Sequence, residues 1–450
     1  MPINTTHAGY DLAVTKAARV RDFAAGEFVV KAKGDLYLPR LGGQTNLEYE
    51  NYKTRGYIVP AVEPTAVAMI GSITRKPATI ESTLEHIHEN LDGVNTGIEL
   101  FVSGMIRELL YGGAAGYLVE WDKLINQPVV KQYSIENIIN FSFGVGNDYI
   151  VLSQNYTKQS RTDKFKQTTE IEYLELTFDE NGSYIQNIWR KTKTGFAIVD
   201  TITPENRGDM MDELPFVFCM PNAKGSNNDP ILLHLANVNL DQYRLSTDER
   251  HGLHWTALPT MFLFGDLRDE EGKKKQIKVG AGSSNHIDDT EARVELLEFS
   301  GAGLSSIKAA IEADVDVMAS IGAKMLTGDS AGVKAAETAR IDASSETATL
   351  NTIANTINQC VNDILAIMAE WSGSAGEHVY AINRDFIDIK LDPNALMALL
   401  RTMQGGGMSL DTFLFNLKRG ELLPKGVTAE DEADRIDSGR EFDMGDNLDA

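Results

Sequence analysis

The residues in this chain that come nearest to a chemical site are His251 and His254, with Asp248 and Glu249 just upstream. Two imidazoles spaced i, i+3 share a helix face and can hold one divalent metal, with a carboxylate as third ligand or general base. That pattern supports only an alternative reading, a cytosolic metal-dependent hydrolase. The ligand set is thin, because no second His or Cys pair stands elsewhere at ligand spacing and carboxylates collect on any solvated helix end. His86 and His88 are a poorer pair, since alternate helix positions face apart. Gly328-Asp329-Ser330-Ala331-Gly332 has the composition of a serine nucleophile turn. It joins two helical patterns, whereas that turn belongs in a β-barrel with a base and an orienting carboxylate upstream. Gly112 to Gly116 lacks the Lys-Ser/Thr of a phosphate loop and runs helix, glycines, strand, the reverse of a helix N-terminal cradle. Cys219 and Cys360 are too few for a disulfide framework or a Cys-rich zinc site, and a reducing compartment is the simpler setting. No catalytic residue, metal or cofactor is expected.

The cations are few. Lys273 to Lys275 with Lys278 follow Asp269, Glu270 and Glu271 and read as solvated. Lys324 and Lys334 flank the Gly328–Gly332 loop and can touch a phosphate backbone in passing. In 450 residues, 42 Lys+Arg stand against 65 Asp+Glu, a net charge of −23. A protein that grips nucleic acid tightly needs a basic face, so a tight or sequence-reading DNA binder is excluded. At 42% hydrophobic and 24% charged the chain is globular rather than disordered. Its length suggests two to four folding units. No signal peptide and no apolar run long enough to span a membrane is legible.

The elements that would carry these residues follow from periodicity. Ile98, Phe101, Val102, Met105, Ile106 and Leu109 predict a helix with one buried face, ended by the glycines and followed by a strand over Tyr117–Trp121. From Ile135 to Phe218, β-branched and aromatic runs separated by Asp179–Gly182 and Lys193–Gly195 predict hairpins in a separate small β-rich module. Asp229 as N-cap and Pro230 at the first helical position open a long helix running towards Leu253, with Asp241, Arg244, Asp248 and Arg250 along its flank and few residues marking a core-facing stripe. A helix from Ser305 and another after Ala335 enclose the small-residue loop at 326–333. Residues 376–392 read as a strand pair, and a helical segment from Pro393 breaks at Gly405–Gly407. The tail from Thr428 carries nine acidic residues and two arginines and reads as disordered without a partner.

Several blocks in this order resemble tailed-bacteriophage portal proteins, the head-to-tail connector family. They are Tyr52-Lys53-Thr54-Arg55, Gly71 to Pro77, Leu110 to Val119, Leu235 to Tyr243 continuing through Asp248 to His251, Glu298 to Gly303, Ala336 to Ala339 and Asn383 to Phe386. The glycine turn is one residue longer than the family's usual form. The resemblance implies an α+β portal fold with wing, stem, clip and crown regions, assembling into a ring of usually twelve copies at one capsid vertex. On that plan residues 1–45 are an N-terminal arm, 46–133 the first part of the wing, 134–225 the clip and adjoining stem, and 226–256 a stem helix. Residues 257–392 are the second part of the wing with a tunnel loop at about 326–334, 393–427 the crown helices and 428–450 an acidic tail. The other stem helix lies between Ser134 and Phe141 or is very short.

Channel candidates are Lys324, Gly328, Asp329, Ser330, Gly332 and Lys334 in the loop and Asp241, Arg244, Asp248 and Arg250 on the stem helix. Expected partners are other copies of the chain, double-stranded DNA in transit, an ATP-driven terminase, a head-tail adaptor, and capsid and scaffolding proteins, with no membrane. The competing readings are the hydrolase built on His251 and His254 and a different head-completion or scaffold component of a virion.

Overall fold

The computed structural model describes residues 2–144, 148–159, 163, 165–206, 208–222, 228–257, 260–264, 293–297, 301, 303–321, 336–384, 386, 393–419, 422, 431–432 and 434–435. They fall into two compact units, Met1–Ile382 and Asn383–Ala450.

The first unit opens with α1 (Tyr10–Ala25) and α2 (Glu27–Ala32). Ala17, Val20 and Phe23 recur at three-residue intervals and form the buried side of α1. Arg21 fixes that side. Its guanidinium donates to Glu136 Oε1 at 2.6 Å and to Glu108 Oε2 at 2.7 Å. Burial by itself would lower the arginine's pKa, but hydrogen bonds to the two carboxylates outweigh it and raise the value further. Glu108 is buried on the inner face of its helix, where an unpaired carboxylate is costly. The N-terminal arm is therefore bound to its own chain.

Next come α3 (Asn46–Arg55) and α4 (Val62–Ile73). Thr45 and Glu48 close a reciprocal capping box on α3, with Thr45 N donating to Glu48 Oε2 at 2.7 Å and Glu48 N to Thr45 Oγ1 at 3.3 Å. After β1 (Thr79–Glu81), α5 (Ile98–Gly112) buries the predicted residues and stops at Gly113, whose φ of 78° is the left-handed cap that glycine adopts without penalty.

The strands follow as β2 (Ala115–Asp122), β3 (Gln127–Ser134), which was not expected, β4 (Ile138–Ser142), β5 (Tyr149–Gln159), β6 (Gln167–Phe178), β7 (Tyr184–Thr192) and β8 (Gly195–Ile202). Two short strands, β9 (Glu205–Asn206) and β10 (Asp209–Met210), precede β11 (Phe216–Cys219). β2 lies between β11 and β3, and β4 to β8 form an antiparallel sheet in sequential order.

That sheet is not the separate module expected. Leu118 of β2 and Tyr133 of β3 share one core with Ile138, Ile150, Leu152, Leu174, Leu176 and Tyr184. Burial is concentrated in the halves of β5 and β6 nearest β2 and β3, whereas Gln167–Ile171 are exposed. No stem helix lies at 134–141 either. Ile135–Asn137 is a single 3-10 turn leading directly into β4.

α6 (Leu233–Ala257) starts later than the Asp229 cap predicts. Asp229 is engaged elsewhere, its Oδ1 accepting from Lys16 Nζ on α1 at 2.5 Å. Beyond α6 lie β12 (Thr260–Phe264) and β13 (Arg293–Leu297), which pair with each other, then α7 (Leu304–Ser320) and α8 (Ala336–Ser372). Leu350, Ile353, Ile357, Val361, Ile364, Met368 and Trp371, the stripe predicted for α8, are all buried. β14 (Val379–Ala381), within the stretch 376–392 expected to hold a strand pair, pairs with β1. The remainder of that stretch lies largely outside the described residues.

The two cysteines meet where α8 packs on β11. Both are free and buried, and a hydrogen bond to Cys360 together with burial pushes the Cys219 thiol well up. In the second unit α9 (Pro393–Gln404) and α10 (Leu410–Arg419) flank the predicted glycine break.

The Arg21 clamp gives a direct stability prediction. Arg21→Ala leaves Glu108 and Glu136 without their shared cation and should cost about 2 kcal/mol, less than a fully buried pair because all three side chains are partly wet. Chemical denaturation measures it, and an unchanged midpoint would contradict the clamp.

Candidate functional site

Every stem candidate sits on α6, so the site begins with what holds α6 in place. The helix is 25 residues long, roughly 37 Å. Beside the apolar Leu235, Ala236, Leu240 and Tyr243, its buried stripe is polar, with Asn239, Gln242, Ser246 and Thr247 all fully buried. Each of the first three bonds the extended segment between α3 and α4. Asn239 Nδ2 donates to Val59 O at 3.0 Å, and Gln242 Oε1 accepts from Val59 N at 3.1 Å while its Nε2 donates to Tyr57 O at 3.3 Å. Ser246 Oγ accepts from Tyr57 N at 3.2 Å and donates to Tyr57 O at 2.6 Å. A strand-like segment with no strand partner thus has its backbone satisfied by helix side chains. The approach is close, since a Cβ on Gly56 would lie 2.0 Å from Thr247 Oγ1. The residue pattern missed these groups because a polar stripe reads as a solvated face.

The four stem candidates separate in this setting. Arg244 Nε donates to Tyr37 O at 2.8 Å. Asp248 accepts from Tyr52 OH at 2.5 Å, and burial together with that bond pushes the Tyr52 phenol up. The Arg250 guanidinium sits 5.2 Å from the centre of the Tyr57 ring. All three tie α6 to α3 and the residues that flank it. Asp241 differs, with a side chain 64% exposed and 3.7 Å from Arg244 Nη1.

His251 is engaged by an aromatic ring and a guanidinium. The His251 ring lies edge-on to Tyr52 with centroids 5.1 Å apart, and its Nδ1 is 3.3 Å from Arg55 Nη1. Burial, then the Arg55 charge, then His254 lower its pKa. Among the described residues no group of three or more His, Cys, Asp or Glu is placed to hold a metal. His86 Nε2 bonds Pro128 O at 3.0 Å.

α6 and α7 form an antiparallel pair. Gly252 faces Leu304 near one end, and Asp241 lies near Asp314 further along, so eleven residues on one helix match ten on the other. Asp314 is raised by burial first and by Asp241 second. The loop candidates Lys324, Gly328, Asp329, Ser330, Gly332 and Lys334 lie outside the described residues, as do Lys273 to Lys275 and Lys278. Among the described residues no helix is long and apolar enough to cross a membrane.

Residues 231–372, from just before α6 to the end of α8, match a family described as a domain of unknown function, DUF4055. No curated protein matches the chain. Similar solved structures include a phage portal protein. That one, an HK97-family portal from Corynebacterium diphtheriae, is 12% identical with a TM-score of 0.33, over 76% of this chain and 95% of its own. A chain from the neck of an empty gene transfer agent particle is 11% identical with a TM-score of 0.40, over 85% and 95%. A chain from the virion of a native gene transfer agent particle is 10% identical with a TM-score of 0.42, over 88% and 99%.

Two predictions follow from α6. Gln242→Leu keeps the volume but strands Val59 N–H, while Tyr57 C=O keeps its bond from Ser246, which should cost about 2 kcal/mol in urea unfolding; a loss below a few tenths would mean that the stripe is dispensable. The second concerns His251. Its folded pKa is below the ordinary 6.5, so the unfolded chain takes up the proton first and stability falls as pH drops below that value. His251→Gln should make the fall in melting temperature with pH shallower, whereas parallel slopes would assign the fall to other groups.

Proposed function

We propose that the chain is the subunit of a viral portal ring, a channel through which double-stranded DNA is packaged and later ejected. The observation that carries this reading is the order of elements after the body: α6, the paired strands β12 and β13, an antiparallel α7, α8, and then a separate helical unit. A stem needs one helix going out and one coming back, with the clip between them. The α6–α7 pair supplies both, which argues for a clip within 258–303 around β12 and β13 rather than at 134–225. The β4–β8 sheet shares its core with β2 and β3 and so belongs with the wing. The loop at 326–334 then falls between the returning stem helix and α8, as a tunnel loop would, and the second unit corresponds to the crown.

The electrostatics suit a conduit. Contacts strong enough to hold phosphate would stall the duplex at each step, whereas an acidic wall repels it over about 8–10 Å at physiological salt. The chain offers no nucleotide-binding loop, so the work of packaging falls to a terminase docking at the clip, replaced later by a head-tail adaptor. Capsid and scaffolding proteins would surround the wing.

Imaging of purified protein by negative stain should show rings of about twelve subunits with a central hole. A compact monomer or dimer with a closed cleft would overturn the portal reading and favour the hydrolase. Within particles, deleting Gly328 to Gly332 should leave the rings intact and reduce packaged or retained DNA. Wild-type packaging by that variant would remove the tunnel-loop role.

A further inference from the structure

Cys219 and Cys360 are a pair of reactive side chains for which a DNA conduit has no use. Cys219 ends β11, opposite Ala115 of β2, and Cys360 lies inside α8. Both thiols are free and buried. They meet where α8 packs on β11: the two side chains are hydrogen-bonded to each other, and Cys360 Sγ donates to Phe218 O at 3.7 Å.

The two sides of α8 are fastened unequally at this level. Asn358 and Asn362, spaced i, i+4, face away from Cys360 and bond the chain at and beyond β14. Asn362 Nδ2 donates to Tyr380 O at 3.0 Å, Asn362 Oδ1 accepts from Tyr380 N at 2.8 Å, and Asn358 Oδ1 accepts from Ile382 N at 3.0 Å. Towards β11 the bond is a long one from a thiol, a weak donor. The place in the chain is also specific. After β11 the chain runs through α6, β12, β13 and α7 before returning as α8, and 142 residues separate Phe218 from Cys360. A covalent link at this point closes the base of that whole excursion.

We propose that Cys219 and Cys360 form a redox clasp, open as two thiols in a reducing compartment and closed as a disulfide between β11 and α8 in an oxidising one. The oxidant is a small disulfide. The thiolate of one cysteine attacks it and expels one thiolate, and the second cysteine then displaces the other half from the mixed disulfide. Two cysteine S–H bonds are lost and one S–S bond forms, while the small disulfide takes up the two electrons and both protons and leaves as two thiols. The first attack needs an exposed thiolate, whereas the bond to Cys360 and burial keep Cys219 protonated. Closure is therefore slow, paced by the parting of α8 from β11, and burial then shields the closed bond from reductant.

The test uses the full-length chain, purified reduced and incubated with oxidised glutathione in urea below the unfolding midpoint. Its intact mass should fall by two hydrogens, and a proteolytic digest should contain peptides joined through Cys219 and Cys360. After the oxidant is removed, the equilibrium constant for unfolding should be at least about thirtyfold lower than in the reduced chain, because the link closes a long loop of the unfolded chain. Dithiothreitol added to the unfolded chain should abolish the gain, and Cys360→Ala should show neither link nor gain. Thiols that stay free, glutathione retained on either cysteine without the link, or a link that leaves stability unchanged or lower would overturn the clasp. The clasp acts within one chain, so its failure would leave the ring reading standing.

Discussion

The constraint on which the rest of this structure depends is the burial of polar side chains along α6 against the backbone of Tyr57 and Val59. A helix that buries an amide, a hydroxyl and a second amide needs hydrogen-bond partners of fixed geometry, and here they come from the backbone of Tyr57 and Val59. The arrangement is demanding in both directions. The segment has no sheet to supply its partners, and α6 has no water to supply its own. Satisfying each with the other fixes the position of the helix along its axis as well as its packing face, which an apolar stripe alone would leave loose. Arg244, Asp248 and Arg250 add further ties on the same side. One flank of α6 is thereby bound to the body and another is left for α7.

Much of the secondary structure was legible because it depends on local periodicity. The heptad-like spacing of α5 and α8 named their buried residues correctly, and the turn residues between β6, β7 and β8 announced the hairpins. The start of α6 was misread, since Asp229 has the chemistry of a cap and is diverted by Lys16, 213 residues away. The buried face of α6 was illegible for a different reason. Its residue types are those of a wet surface, and their burial depends on a backbone segment about 180 positions earlier. The sheet of β4 to β8 looked self-contained because each strand pairs with its neighbour, whereas its core is closed by Leu118 and Tyr133 from outside it.

The candidate site was legible in its outline and not in its roles. A pair of histidines next to carboxylates looked like a ligand set, but His251 turns to Tyr52 and Arg55, 196 residues before it in the case of Arg55. Three of the four stem candidates on α6 proved to be fasteners. Charge on a helix flank does not distinguish a side chain that faces a channel from one that anchors the helix; only the partner does.

That distinction bears on the charge deficit. In the described residues the cations repeatedly serve internal ties: Lys16 to Asp229, Arg21 to Glu108 and Glu136, Arg107 to Glu63, Arg190 to Glu172. Each such pair consumes one positive and at least one negative charge, so internal pairing leaves the net charge of −23 unchanged. Adding subunits side by side would bring those excess charges together and oppose assembly through self-repulsion. A ring built from this chain therefore needs contacts whose strength does not come from opposite charge. Apolar contacts meet that need, because they are insensitive to the sign of the neighbour's field.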